Sequence, residues 1–132
     1  MTATATVLVI DDDAEVRSLV AGLLKRSGYS VLEAGSGREG IRRAEEACPD
    51  LVLLDMAMPD LDGLQVARAI RSKTALAETP VVALTARHLA SDRRRALEAG
   101  CSHFLTKPCP PAELRAAIDG ILGLASSRVR PS

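Results

Sequence analysis

The chain is predicted to fold as an α/β domain with a parallel sheet covered by helices on both faces, and two regularities of its sequence predict this. Short apolar runs at residues 7–10, 31–34, 51–54, 81–84 and 104–105 alternate with segments of helical period. Apart from Glu33 in the second, the runs are continuously apolar rather than alternating, as in strands buried on both faces. Strand–helix alternation of this kind implies parallel strands joined by right-handed crossovers.

The elements follow in order. The first strand ends abruptly in "VLVIDDD", where Asp11, Asp12 and Asp13 stand side by side. In the next segment Val16, Leu19, Val20, Leu23 and Leu24 form one apolar stripe, expected to face the sheet, and Gly28 is a natural stop. The second helix opens at "SGRE", where Ser36 and Glu39 have capping-box spacing, and ends before Pro49. A third begins near Asp62 with Leu64, Ala67 and Ile70 inward. A fourth is short and basic ("SDRRRALEAG") and stops at Gly100. The last is introduced by Pro110 and Pro111 and carries Leu114, Ala117, Ile118, Ile121 and Leu122. These bounds divide the chain into an extension over residues 1–6, a domain over 7–124 and a polar, flexible tail over 125–132.

Composition narrows the function. The 132 residues amount to one domain, and 47% of them are apolar. The formal net charge is zero, and Tyr29 and Phe104 are the whole aromatic complement, which argues against a nucleic-acid surface. No apolar stretch has membrane-spanning length, and "MTATATVLVI" lacks the basic start of a signal peptide. Cys48, Cys101 and Cys109 lack metal-type spacing and are expected to be reduced thiols packed in a cytoplasmic protein.

The polar residues that interrupt the apolar runs fall at strand ends. Asp11 and Asp12 follow the first strand and Asp55 the third; Thr85 ends the fourth and Lys107 the fifth. A parallel sheet brings all five to the carboxyl edge, where open α/β sheets bind ligands. Three acids, a hydroxyl and a lysine suit a divalent cation and a phosphoryl group. Mg²⁺ takes one or two carboxylates together with water and phosphate oxygens, and clustered acids without a cation repel and raise a pKa.

The segments "VLVIDDDAEVR", "PDLVLLDMAMPDLDG", "PVVALTA" and "GCSHFLTKP" together make the chain, from about residue 7 to 124, resemble the response-regulator receiver domains of two-component signalling. The resemblance implies a flavodoxin-like, doubly wound five-stranded sheet in the order 2-1-3-4-5, with five helices. It implies Asp55 as phosphoacceptor, with Asp12 binding Mg²⁺ directly, Asp11 largely through water, and the Ala57 backbone carbonyl completing the protein's share. It implies Lys107 as the cation that pairs with a phosphoryl oxygen, followed by a cis bond before Pro108. Thr85 is the hydroxyl drawn to the phosphoryl group and Phe104 the ring that follows it, in place of the family's frequent tyrosine. Ala57 and Arg87 occupy the positions that tune hydrolysis. Asp13 is left to cap the first helix.

By the same resemblance the protein is a signalling phosphoacceptor rather than an enzyme, catalysing only its own phosphoryl uptake and slow hydrolysis. Its partners would be a histidine kinase or phosphotransfer protein and a downstream protein meeting the face of helix 4, strand 5 and helix 5. Neither nucleic acid nor membrane is expected to bind directly. The chain is read as a stand-alone, single-domain regulator, with the excised receiver of a hybrid kinase or multidomain regulator as the alternative.

Two other classes compete. "GSGREG" (residues 35–40) matches G-x-G-x-x-G at a helix start, with Asp55 at ribose-binding distance along the chain, but a dinucleotide site leaves Asp11, Asp12, Thr85 and Lys107 unexplained. A haloacid-dehalogenase-type phosphatase would use "DDDAE", but no acidic pair follows Lys107 and there is no room for a cap domain. His88 and His103 read as surface residues, residues 93–95 as a solvated or partner-facing basic patch, and Met56 and Met58 as loop packing.

Overall fold

The computed structural model describes residues 4–85 and 90–129. Its order is β1 (Thr6–Ile10), α1 (Ala14–Arg26), β2 (Ser30–Ala34), α2 (Gly37–Ala47), β3 (Leu51–Asp55) and α3 (Gly63–Arg71). A 3₁₀ turn over Thr74–Leu76, absent from the sequence reading, precedes β4 (Val81–Thr85), α4 (Ala90–Glu98), β5 (His103–Thr106) and α5 (Pro111–Val129). All strand pairs are parallel and the five-stranded order is β2-β1-β3-β4-β5. This is the doubly wound, flavodoxin-like sheet expected. The helix α5 runs on past Leu124 to Val129, through a stretch whose first breaker is Pro131.

Side chains of alternate strand residues feed two cores. Leu8, Ile10, Val52, Leu54, Val81 and Ala83 pack with Ala44, Val66, Ala67, Ile70 and Ala96 from α2, α3 and α4. Val7, Val9, Leu51, Leu53, Val82 and Leu84 pack on the other face with Leu24, Leu114 and Ile118 from α1 and α5. Continuous apolar runs are therefore required, because both faces of every central strand are dry.

The stripe predicted for α1 needs correction at Leu19, which is 70% exposed. The residues of α1 that are fully buried are Ala21 and Leu24. At about 100° per residue their direction lies far around the helix from Leu19, and the small Ala21 side chain lets the helix sit on that side. Val20 and Leu23 pack at the border.

Caps and ties set the loops. Asp13 caps α1 by accepting from the Glu15 and Val16 amides at 3.0 and 3.2 Å, as expected. Asp62 and Gln65 form a reciprocal capping box on α3. The box expected on α2 is half formed: Ser36 Oγ accepts from the Glu39 amide, but Glu39 Oε1 accepts from Gly35 rather than Ser36. Arg71, at the end of α3, donates from Nε and Nη2 to the Gly100 carbonyl at 3.2 and 2.7 Å. Its Nη1 reaches the Leu76 and Ala77 carbonyls at 3.0 and 2.7 Å. Gly100 has φ +110°, and a Cβ there would lie 3.2 Å from Arg71, so its backbone conformation and the contact both call for glycine. Tyr29 donates to Asp119, tying the β2 entrance to α5. The three cysteines are free; Cys101 is buried, Cys109 half-buried and Cys48 exposed.

Candidate functional site

The carboxyl edge of the sheet gathers the strand-end residues. Asp11 leaves β1 with its amide donating to the Ala34 carbonyl at 3.1 Å, which extends the ladder by one bond and buries the side chain. Asp55 is the last residue of β3 and is 5% exposed. Asp12 stands exposed between Asp11 and the Asp13 cap. One carboxylate oxygen from each of Asp11, Asp12 and Asp55 lies within 4.8 Å of the others.

Lys107 enters from the end of β5, just before the cis Lys107–Pro108 bond that the resemblance implies. Its amide donates to the Thr85 carbonyl at 2.6 Å, continuing the β4–β5 ladder. Its ammonium lies 3.2 Å from Asp55 Oδ1 and 3.8 Å from Asp11 Oδ2. Asp55 Oδ1 also accepts from the Ala57 amide at 3.3 Å. Thr85 is buried at the end of β4, paired in register with Thr106.

Electrostatics mark Asp11 as the strained member. Burial pushes its carboxyl above the ordinary range, the Asp55 charge adds to this, and the Asp13 amide and Lys107 oppose it. Three carboxylates against one ammonium leave two negative charges in a small space, which fits a divalent cation held by oxygen. Asp11, Asp12 and Asp55 are the side chains that would hold it.

Phe104 is half-buried against the first core. It lines two depressions at once: a groove of about 410 Å³ with Leu97, His103 and Ile121, and a cavity of about 280 Å³ with Met56, Thr85 and Arg95. His103 is exposed, as expected, and Met58 is packed in the core. Arg87, Ala86 and His88 lie outside the described residues.

The glycine motif has a packing explanation. A Cβ on Gly40 would come within 2.5 Å of Ile10, and one on Gly37 within 2.9 Å of Val66. Gly35 leaves room for Arg17, whose Nη1 would lie 3.0 Å from an added Cβ. That guanidinium donates to the Asp11 carbonyl at 2.8 Å and pairs with Glu33 at 3.2 Å. The amides a pyrophosphate would use, those of Gly37 and Arg38, already donate to the Asp60 carboxylate. An anion there would face a charge of its own sign, which disfavours the dinucleotide reading. Sequence reasoning passed over Arg17, Glu33 and Asp60. Their pairings join separate elements, and only the "PDLDG" segment, with one more acid than α3 needs for its cap, hinted at Asp60.

The chain matches the response regulator receiver domain family over residues 7–119. It belongs to that family. It is 40% identical over 120 residues to the transcriptional regulatory protein ResD of Bacillus subtilis, covering 91% of this chain and 49% of ResD. The chain thus spans about half the length of the curated relatives it matches. The chemotaxis response regulator CheY4 of Vibrio cholerae superimposes with a TM-score of 0.86 at 28% identity, covering 90% of this chain and 99% of that one. The receiver domain of the sensor histidine kinase PA1611 from Pseudomonas aeruginosa, solved with a magnesium ion coordinated in its active-site cleft, gives 0.84 at 32% identity, covering 92% and 99%. Receiver domains of this family are signalling domains of two-component systems. No helix among the described residues is long and apolar enough to cross a membrane.

Proposed function

We propose that this receiver domain accepts a phosphoryl group on Asp55 from a histidine kinase or a phosphotransfer protein, with Mg²⁺ as cofactor. The observation that carries the reading is the Lys107 ammonium 3.2 Å from Asp55 Oδ1, with carboxylate oxygens of Asp11 and Asp12 within 4.8 Å of one on Asp55. An Asp55 oxygen forms the new bond to phosphorus as the phosphorus–nitrogen bond of the donor phosphohistidine breaks. Lys107 pairs with a phosphoryl oxygen, so that charge is neutralised where it develops. Mg²⁺, when bound, supplies the remaining neutralisation, with Asp11, Asp12, Asp55 and the Ala57 carbonyl as its protein contacts.

Thr85 and Phe104 then carry the signal. The cavity they share gives the ring somewhere to go when the hydroxyl turns to the phosphoryl group. Moving such an equilibrium from 1:99 to 99:1 takes about 5.5 kcal/mol, and one hydrogen bond to a charged group contributes about 1.5–3 kcal/mol. Thr85 therefore carries part of the switch and not all of it. The partner-facing surface is that of α4, β5 and α5, where Leu97 is 45% exposed beside the Phe104 groove. Ala57 and Arg87 tune hydrolysis. The domain acts in the cytoplasm, as a single-domain regulator through protein contacts or as the receiver of a longer regulator or hybrid kinase.

Acetyl phosphate and Mg²⁺ should add one alkali-labile phosphoryl group, visible by intact mass and abolished in Asp55→Asn. Equal labelling of that variant overturns the assignment. Thr85→Ala should still be labelled while losing most of the phosphorylation-dependent shift change around Phe104.

A further inference from the structure

We propose that Asp60 is a positioning residue for the cation side of this site: it bridges the loop after β3 to the first turn of α2 and so fixes the segment on which Ala57 sits beside Asp55. The inference rests on the reading that the Ala57 carbonyl faces the cation.

A helix begins with amides that have no partner within it. In α2 the Glu39 amide is served by Ser36 Oγ at 3.1 Å, from the helix's own cap. The Gly37 and Arg38 amides donate instead to Asp60, to Oδ1 at 2.9 Å and Oδ2 at 3.0 Å. Each carboxylate oxygen takes one amide. The same helix end thus has one local cap and one imported from another element.

The imported cap comes from the loop that matters. Leaving β3, the Met56 amide donates to the Leu84 carbonyl at 3.1 Å, and the Ala57 amide folds back to Asp55 Oδ1 at 3.3 Å. The Gly63 amide closes the base by donating to the Met56 carbonyl at 3.1 Å. Asp60 stands between these ties, and its two bonds fasten the loop's outer part to α2. Gly37 permits the approach, since a Cβ there would lie 3.0 Å from Leu61 and 3.4 Å from Asp60 Oδ1. The amides hold the Asp60 carboxyl below its ordinary range, keeping it ionised. Asp60 is exposed, so the bridge consists of directed bonds rather than burial.

The neighbouring cap supplies the control. Ser36→Ala and Asp60→Ala each remove a cap from the same end of α2, and both should lower the melting temperature. A purely structural Asp60 would make the two variants alike in every other respect. Magnesium should be titrated into each protein and followed by the amide shifts of Asp12 and Ala57, with acetyl phosphate labelling measured on the same samples. Groups that orient metal ligands typically matter by about tenfold in affinity, so Asp60→Ala should weaken Mg²⁺ by about that factor while Ser36→Ala leaves it unchanged. Asp60→Asn keeps a single acceptor oxygen and should fall between, which also serves if the alanine variant does not fold. Equal Mg²⁺ affinity in wild type and Asp60→Ala, or equal weakening in Asp60→Ala and Ser36→Ala, overturns the proposal. A wild type that shows the Asp60-dependent Mg²⁺ binding but takes up no phosphoryl group supports the positioning role and removes the phosphoacceptor instead.

Discussion

Replacing Asp11 by Asn should make the metal-free domain more stable and the Mg²⁺-loaded domain less so. Asp11 is 3% exposed, and a buried charge costs several kcal/mol unless neighbours compensate it. The neighbours do not compensate it. At an effective dielectric of about 20, the Asp55 and Asp12 carboxylates, each within 4.8 Å, repel it by at least ~3.5 kcal/mol apiece, and Lys107 at 3.8 Å attracts it by ~4 kcal/mol. Burial adds to the net repulsion. The Asn carbonyl oxygen can keep the 2.9 Å bond from the Asp13 amide, and Lys107 keeps Asp55. We expect a gain of about 1–2 kcal/mol in EDTA, well below the full cost of an uncompensated buried charge.

Urea unfolding followed by circular dichroism measures this. With Mg²⁺ at about a hundred times its dissociation constant, wild type should gain ~2.7 kcal/mol and the variant far less, so the order of stability reverses. The pH dependence gives a second reading. Because the Asp11 carboxyl is raised above its ordinary 3.8, the native chain keeps a proton over a range in which the unfolded chain has lost it. Wild-type stability should fall as pH rises through that range, a loss absent from the variant. A variant less stable than wild type in EDTA would mean that the Lys107 pairing outweighs burial, and would refute the argument.

Four further predictions test the fold. Asp13→Ala should cost about 1 kcal/mol, the usual loss of a helix cap, and leave Mg²⁺ affinity unchanged in a shift titration. Gly40→Ala should destabilise the domain in urea by about 1 kcal/mol, since overpacking Ile10 costs about 1–3 and helix propensity returns about 1. Gly120→Ala, with nothing within 4 Å of an added Cβ, should instead stabilise by about 0.5–1 kcal/mol in the same assay. Tyrosinate absorbance, which in this chain reports Tyr29 alone, should titrate near the value of about 12 to which burial and the Asp119 hydrogen bond raise the phenol, against an ordinary 10.0. Asp119→Ala should bring the midpoint down, and the stability this contact contributes should be present below pH 10 and lost as pH rises toward 12.

Much of this arrangement was legible in the residues themselves. Unbroken apolar runs revealed the central strands because both their faces are covered, and polar residues ending the runs pointed to the edge at which Asp11, Asp12, Asp55, Thr85 and Lys107 meet. Caps written within a few residues of their helix, such as Asp13 and Asp62, could be read locally. What escaped depends on which way an element turns or on partners far along the chain. Periodicity placed Leu19 in the apolar stripe but could not say that α1 rests on Ala21 and Leu24. Glu39 had the right spacing for a capping box, yet its carboxylate goes to Gly35. Asp60 lies 23 residues from the Gly37 amide it accepts, and Arg71 lies 29 from Gly100. No local pattern names either partner.

The Arg71 fork has a mechanical consequence. It grips the Gly100 carbonyl immediately beyond α4, and its remaining nitrogen is anchored on the 3₁₀ turn. Any displacement of α4 that keeps those bonds is a swing about its C-terminal end, so the helix behaves as a lever with its fulcrum at Gly100. Its nine residues give an arm of about 13.5 Å, and a swing of about 10° carries the N-terminal end through about 2.4 Å while the fulcrum stays still. That end is the one the chain reaches after Thr85. Travel therefore grows along α4 away from Gly100, and the rigid point lies at the edge of the sheet opposite Asp55 and Thr85.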